Sequence, residues 1–190
     1  VQGCGDAGCV PDSLPGYQKF SPEVLAAFEG LWGGGLSSTE GLKATDMIER
    51  IAQGDIRAMY IVGENPLLSE PNLHHATDLI RSLDFLVVQD LFLHETAQLA
   101  DVVLPACSFA EKEGTFTNSE RRVQRVRPAI APVGESRPDW EIVCDIARRI
   151  APAVGVDKLQ FSYAGTSEVF AEMARLTPFL RGKIISSTIP

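Results

Sequence analysis

An α/β fold is predicted: a doubly wound, mostly parallel, Rossmann-like sheet with helices on both faces. Three observations carry this reading. Residues 58–62 (AMYIV), 85–88 (FLVV) and 101–104 (DVVL) are short apolar runs, the form taken by strands buried on both faces. Between them, apolar residues recur at helical spacing, so strand and helix alternate. Each run stops at amides, carboxylates or turn residues (GENP, QD, PAC), and in open parallel sheets ligands bind beyond the carboxyl ends of the strands.

The elements follow in order. Val1-Gln2-Gly3 reads as the end of a strand entering a Gly-rich loop. Ser21 as N-cap and Pro22 at the first helical position open a helix over 22–28. Thr45 or Asp46 opens a second, ending near 52 before Gly54. A helix over 71–83 places Leu73, Ala76, Leu79, Ile80 and Leu83 on one face. Residues 96–100 form a short helix before the third strand, and 122–126 read as a fourth strand. Pro138 opens a helix to 150, and Thr166 or Ser167 caps a last one to 176.

A chain of 190 residues suits one domain. Its 17 basic and 25 acidic residues leave a net charge of −8, which argues against nucleic acid or anionic lipid as a partner. No apolar run approaches the ~20 residues of a membrane span, so no direct membrane insertion is expected. Cys4, Cys9, Cys107 and Cys144 have neither zinc-module nor disulfide-framework spacing and read as free thiols. His74, His75 and His94 read as exposed, and no metal site is assigned. No P-loop, GxGxxG or Ser/His/Asp grouping occurs, and no residue is assigned a catalytic role. With neither an initiating Met nor a leader of its own, the sequence reads as an internal piece of a larger polypeptide, its compartment open.

The residues with chemistry to offer sit at the strand ends. Gly63 lets backbone approach a ligand, Glu64 is an acceptor, and the Asn65 amide both donates and accepts. A plain βα turn would use the same residues. Gln89 offers a second amide and Asp90 a carboxylate. A carboxylate at such a tip suits guanine, whose N1–H and amino group form an adjacent donor pair; adenine has none. Asp139, beside Pro138 in a helix's first turn, has the same capacity, and the helix dipole favours an acid there in any case. Lys112, between Glu111 and Glu113, meets either a diphosphate or solvent, with Thr115, Thr117 and Asn118 as further donors.

Taken as an ordered set, Val1-Gln2-Gly3 with Asp6 and Gly8, GENP at 63–66, VQD at 88–90, ADVVLP at 100–105, EKEG at 111–114 and PDW at 138–140 resemble the molybdopterin oxidoreductase family. Within it the likeness is to formate dehydrogenase catalytic (alpha) subunits and extends to about residue 150. The resemblance implies a domain that holds the guanosine end of one of two molybdopterin guanine dinucleotides carrying molybdenum or tungsten. It places Gln2 near the pterin, Asn65 and Gln89 near the nucleoside, Asp90 at the same tip, Lys112 near the diphosphate and Asp139 on the guanine. An iron–sulfur cysteine cluster, a metal-ligating Cys or selenocysteine with a His, and a β-rich cap are family features not placed in this sequence.

The function implied is formate oxidation to carbon dioxide by the longer enzyme, with the remaining domains and electron-transfer subunits as partners, and no activity in this piece alone. Relatives of the nitrate reductase type, a metal-free complex I subunit, and a non-catalytic guanine nucleotide-binding or scaffold domain are the alternatives.

Overall fold

The computed structural model describes residues 2–70, 72–155 and 161–180; sequence readings at Val1 and Pro71 lie outside the described residues. The chain forms two compact units, one of Val1–Gly41, Glu113–Pro128 and Val143–Pro190, the other of Leu42–Lys112 and Ala129–Ile142.

In the second unit, β1 (Ala58–Val62), β2 (Phe85–Asp90) and β3 (Val102–Pro105) make a parallel sheet in that order, confirming the α/β class. The reversal of strand order that defines a doubly wound sheet does not fall among these three strands. Helices α3 (Ala44–Ala52), α4 (Pro66–Ser69) and α5 (Leu73–Arg81) connect and cover them. The core joins Ile48 and Ile51 of α3, Ile61, Ala76 and Ile80 of α5, Leu86, Val88 and Ala97. Side chains two apart in a strand share a face, so register puts Ile61, Leu86 and Val88 on the core side. Tyr60, Val62, Phe85 and Val102 alternate with them and are exposed. Burial on both faces, expected from the unbroken apolar runs, therefore fails at these positions, because the packed apolar cluster uses one side of the sheet.

Several boundaries differ for local reasons. The helix expected over 71–83 is α5, whose N-cap Asn72 accepts from the His75 N–H and leaves Leu73 exposed. Helix α3 starts at Ala44 behind Lys43, with Asp46 in the first turn rather than at the cap. Strand β2 runs through Gln89 and Asp90, which lie inside the ladder. Asp101 stays outside β3, and its Oδ2 accepts from the Leu86 N–H at 2.7 Å. Residues 97–99 form a single 3₁₀ turn.

In the first unit the expected strand end at Gln2-Gly3 is instead a short helix, α1 (Gln2–Asp6). Gln2 Nε2 donates to Asp6 Oδ1 at 2.9 Å and the Ala7 N–H to the Gly3 carbonyl at 3.0 Å, so local bonds outweigh the two glycines. Helix α2 (Pro22–Trp32) has the expected Ser21 cap and runs beyond residue 28 to Gly33. The expected fourth strand is β5 (Val123–Val126), paired antiparallel with β4 (Gly114–Thr117), a strand that the sequence reading did not include. Asn118 Oδ1, accepting from the Glu120 and Arg122 N–H groups, and Arg121 at φ 61° make the turn. Helix α7 (Thr166–Leu176) begins after Gly165, without the Thr166 or Ser167 cap.

Glu172 of α7 accepts from Trp32 Nε1 at 2.9 Å and from the Tyr163 hydroxyl at 3.0 Å. Burial first, and then the Glu172 bond and charge, push the Tyr163 phenol up to about 12. Because the folded value is raised, the stability gained from the protonated phenol is complete below the free value of about 10 and is lost as pH climbs to 12. An alkaline absorbance titration is expected to show one phenolate step near 12 in the folded chain, missing in Tyr163→Phe.

Candidate cofactor-binding site

At the end of β1 the backbone turns at Gly63 (φ 65°), whose N–H donates to the Gln89 carbonyl at 2.9 Å. A side chain would have room there, so it is the left-handed backbone that calls for glycine. Glu64 accepts from Ser69 Oγ at 2.8 Å. The Asn65 amide donates to Glu95 at 2.8 Å and accepts from Thr96 Oγ1 at 2.7 Å. The Asn65 bond is the main reason the Glu95 carboxyl lies below its ordinary range.

Asp90 serves the loop that follows it. Its Oδ1 accepts from the Leu91 and Phe92 N–H groups at 2.6 and 3.2 Å, and its Oδ2 lies 3.5 Å from His94 Nε2. His94 Nδ1 accepts from the Ala97 N–H at 3.2 Å, so this histidine is tucked in rather than exposed. His74 and His75 are exposed as expected. The clamp leaves Leu91, Phe92 and Leu93 turned to solvent at the end of β2.

A second cluster gathers residues far apart in sequence. The Cys107 N–H bonds the Arg137 carbonyl and the Arg137 N–H bonds the Pro105 carbonyl, at 3.0 and 3.1 Å, which delivers Asp139 to the sheet end. Asp139 opens α6 (Asp139–Ile150). Gln89 Nε2 donates to Asp139 Oδ1 at 2.7 Å, Lys112 pairs with Asp139 Oδ2, and the Tyr60 hydroxyl donates to Gln89 Oε1. Gln89 is fully buried, whereas the Asp139 and Lys112 side chains are 34% and 31% exposed, so the charged end can be reached. The acids flanking Lys112 are engaged elsewhere: Glu111 accepts from the Ser108 and Val133 N–H groups, and Glu113 pairs with Arg125.

The structure thus joins Gln89, Lys112 and Asp139, with Gly63 one backbone bond away. Glu64, Asn65 and Asp90 are held by partners of their own. Gln2 belongs to the first unit, where the buried Asp6 accepts from it and from Arg121, whose guanidinium lies 4.8 Å from the Phe179 ring centroid. Tyr60, Glu95 and Thr96 were not singled out from the sequence. The register of β1 against β2, which pairs Val62 with Gln89, puts Tyr60 on the face of Gln89, and alternation within β1 alone does not carry that register. Among the described residues no three His, Cys, Asp or Glu side chains gather as a metal site. A cleft of about 360 Å³ lined by Leu42, Asp46, Glu49, Arg50 and Gln53 shares no residue with either cluster.

An ionised carboxylate accepts only and an ammonium donates only. The second cluster therefore offers a nucleobase an acceptor and an anion a donor, a few ångströms apart. Residues 19–149 match the family model described as molybdopterin oxidoreductase. The chain belongs to that family. It is 46% identical over 182 residues to the F420-dependent formate dehydrogenase subunit alpha of Methanocaldococcus jannaschii, covering 96% of this chain and 26% of the relative. It is 44% identical over 179 residues to the putative formate dehydrogenase YrhE of Bacillus subtilis, covering 94% of this chain and 18% of that one. The chain therefore spans about a quarter or less of these relatives' length. Among solved structures, acetylene hydratase from Pelobacter acetylenicus matches with a TM-score of 0.58 and 23% identity over 67% of this chain and 18% of its own, a likeness of fold.

Membership implies a molybdopterin cofactor. The molybdopterin oxidoreductase match takes in every strand and both clusters, while Gln2 precedes it. No helix among the described residues is long and apolar enough to cross a membrane.

Proposed function

We propose that this chain is the part of a formate dehydrogenase alpha subunit that holds the guanosine end of a molybdopterin guanine dinucleotide. The observation that carries the reading is the cluster of Asp139, Gln89 and Lys112 at the carboxyl end of the parallel sheet, where such sheets bind ligands. The donor set fits the group: Asp139 accepts from the guanine N1–H and amino group, and Lys112 supplies a cation for the diphosphate.

When bound, the cofactor with molybdenum or tungsten supplies the two-electron oxidation of formate to carbon dioxide; the chain's residues bind and orient it. Lys112 leaves Asp139 to reach a diphosphate, and the guanine donors take up the acceptor it vacates. The pair is partly buried, at 31% and 34% exposure; surface ion pairs are worth roughly 0–1 kcal/mol, and the diphosphate replaces Asp139 as the partner of Lys112, so the exchange costs little. Gly63 and Glu64 shape the turn beside the nucleoside, Asn65 lies near it, Gln89 lies beneath it and acts through Asp139, Asp90 acts by holding the 91–93 loop, and Gln2 faces the pterin. The metal ligand, the iron–sulfur cluster and the contacts with electron-transfer subunits are assigned to other parts of a longer polypeptide.

The test is made on the longer polypeptide, purified without oxygen. It is expected to release GMP on acid hydrolysis, contain molybdenum or tungsten, and reduce a viologen dye with formate, whereas the 190-residue chain alone shows no formate-dependent reduction. Released CMP or no nucleotide would overturn the guanosine assignment, and oxidation of reduced viologen by nitrate with no reduction of the oxidised dye by formate would overturn formate.

A further inference from the structure

We propose that Tyr60, acting through the buried Gln89 amide, is a positioning residue that holds the Asp139 carboxylate as a two-oxygen acceptor and so sets the preference for a base with two adjacent N–H donors. The inference rests on the reading of Asp139 as the nucleobase contact. Gln89 is fully buried, although Tyr60, Val62 and Phe85 on the same sheet face are exposed. A buried amide must satisfy both its ends. Asp139 can only accept, so it selects the NH₂ end, which donates to Oδ1 at 2.7 Å. The carbonyl end then needs a donor, and the Tyr60 hydroxyl is that donor.

The order of donation is thereby fixed from Tyr60 to Gln89 to Asp139, with Lys112 donating to the other carboxylate oxygen. Partial burial, and behind it the Asp139 charge, raise the Tyr60 phenol, which keeps it a donor through the neutral range. A carboxylate has about four lone-pair sites. Gln89 takes one on Oδ1 and Lys112, until it turns to a diphosphate, one on Oδ2, so each oxygen keeps at least one for a ligand. Guanine meets both with N1–H and its amino group, hypoxanthine meets one, and adenine has no such pair. Without the Tyr60 hydroxyl, the Gln89 carbonyl is a buried orphan; the amide turns to find a partner and Asp139 loses its fixed orientation.

Calorimetric titration of the purified chain with GDP, IDP and ADP reads this directly. Wild type is expected to bind GDP about 10- to 100-fold more tightly than IDP, the fold-change for one charge-assisted hydrogen bond. Tyr60→Phe narrows that ratio to about threefold with ADP unchanged. Tyr60→Phe combined with Gln89→Leu leaves no orphaned amide, so thermal stability returns toward wild type while the preference stays lost; this variant also supplies the ratio should Tyr60→Phe alone fail to fold. A wild-type GDP:IDP ratio kept in either variant overturns the relay. GDP binding that is lost in Asp139→Asn but keeps its ratio in Tyr60→Phe overturns the relay alone; wild type with no preference for GDP over ADP overturns the relay together with the nucleobase reading.

Discussion

Asp139→Asn is expected to weaken GDP binding by about 100-fold or more while ADP binding stays within about threefold, since two charge-assisted hydrogen bonds at roughly 1.5–3 kcal/mol each are at stake. The amide keeps the shape of the carboxylate but offers one acceptor oxygen and sets an NH₂ group against a guanine donor, so a favourable contact becomes a repulsive one. The fold should survive. Asp139 is 34% exposed, and an acid in a helix's first turn contributes only about 0.3–1 kcal/mol through the dipole. Calorimetry with both nucleotides, run beside a urea melt, separates binding from stability; unchanged GDP affinity would remove Asp139 from the site.

The largest effect on stability is expected at Leu86. It is 2% exposed in the central strand and belongs to the cluster with Ile48, Ile51, Ile61, Ile80 and Val88. Leu86→Ala removes buried methyl groups and leaves a cavity that neighbouring strands cannot close, a loss of about 2–5 kcal/mol. Against a typical total of about 5–15 kcal/mol that is a large fraction. Phe85→Ala, one residue earlier but 46% exposed on the opposite face, should cost about 1 kcal/mol or less. The urea midpoint, at constant slope, checks both; equal shifts would show that the core does not lie on one face.

That contrast marks what the linear sequence conveys. The three runs at 58–62, 85–88 and 101–104 located the strands within two residues, because β-branched and aromatic clusters bounded by turn residues have few other uses. They hid the direction each side chain takes: an unbroken apolar run reads as buried on both sides whether or not both sides are covered. The same ambiguity concealed Tyr60, whose hydroxyl matters only because alternation turns it toward Gln89. Strand β4 was missed because Gly114-Thr115 reads as loop until its partner strand, β5, is beside it.

The candidate site residues divide in the same way. Gly63 was legible because a positive φ is a local demand that glycine meets alone without strain. Asp139 was legible as an acid at a helix start and Gln89 as an amide at a strand end. Their direct bond, across 50 residues, was not, nor was Lys112 turning from its two acidic neighbours to Asp139. Asp90 and Asn65 had the right chemistry for a ligand, yet the folded chain gives each of them partners at home.

By itself the sequence determined the parallel α/β class, the positions of the three parallel strands and, through the order of its motifs, the family, since these follow from periodicity, turn chemistry and residue identity along the chain. Only the tertiary structure decided which face of the sheet is packed, that Gln2 opens a helix, and that Tyr60, Gln89, Asp139 and Lys112 form one chain of donors and acceptors. Hydrogen bonds between distant side chains depend on orientation within a few tenths of an ångström, and no local pattern of residues carries that information.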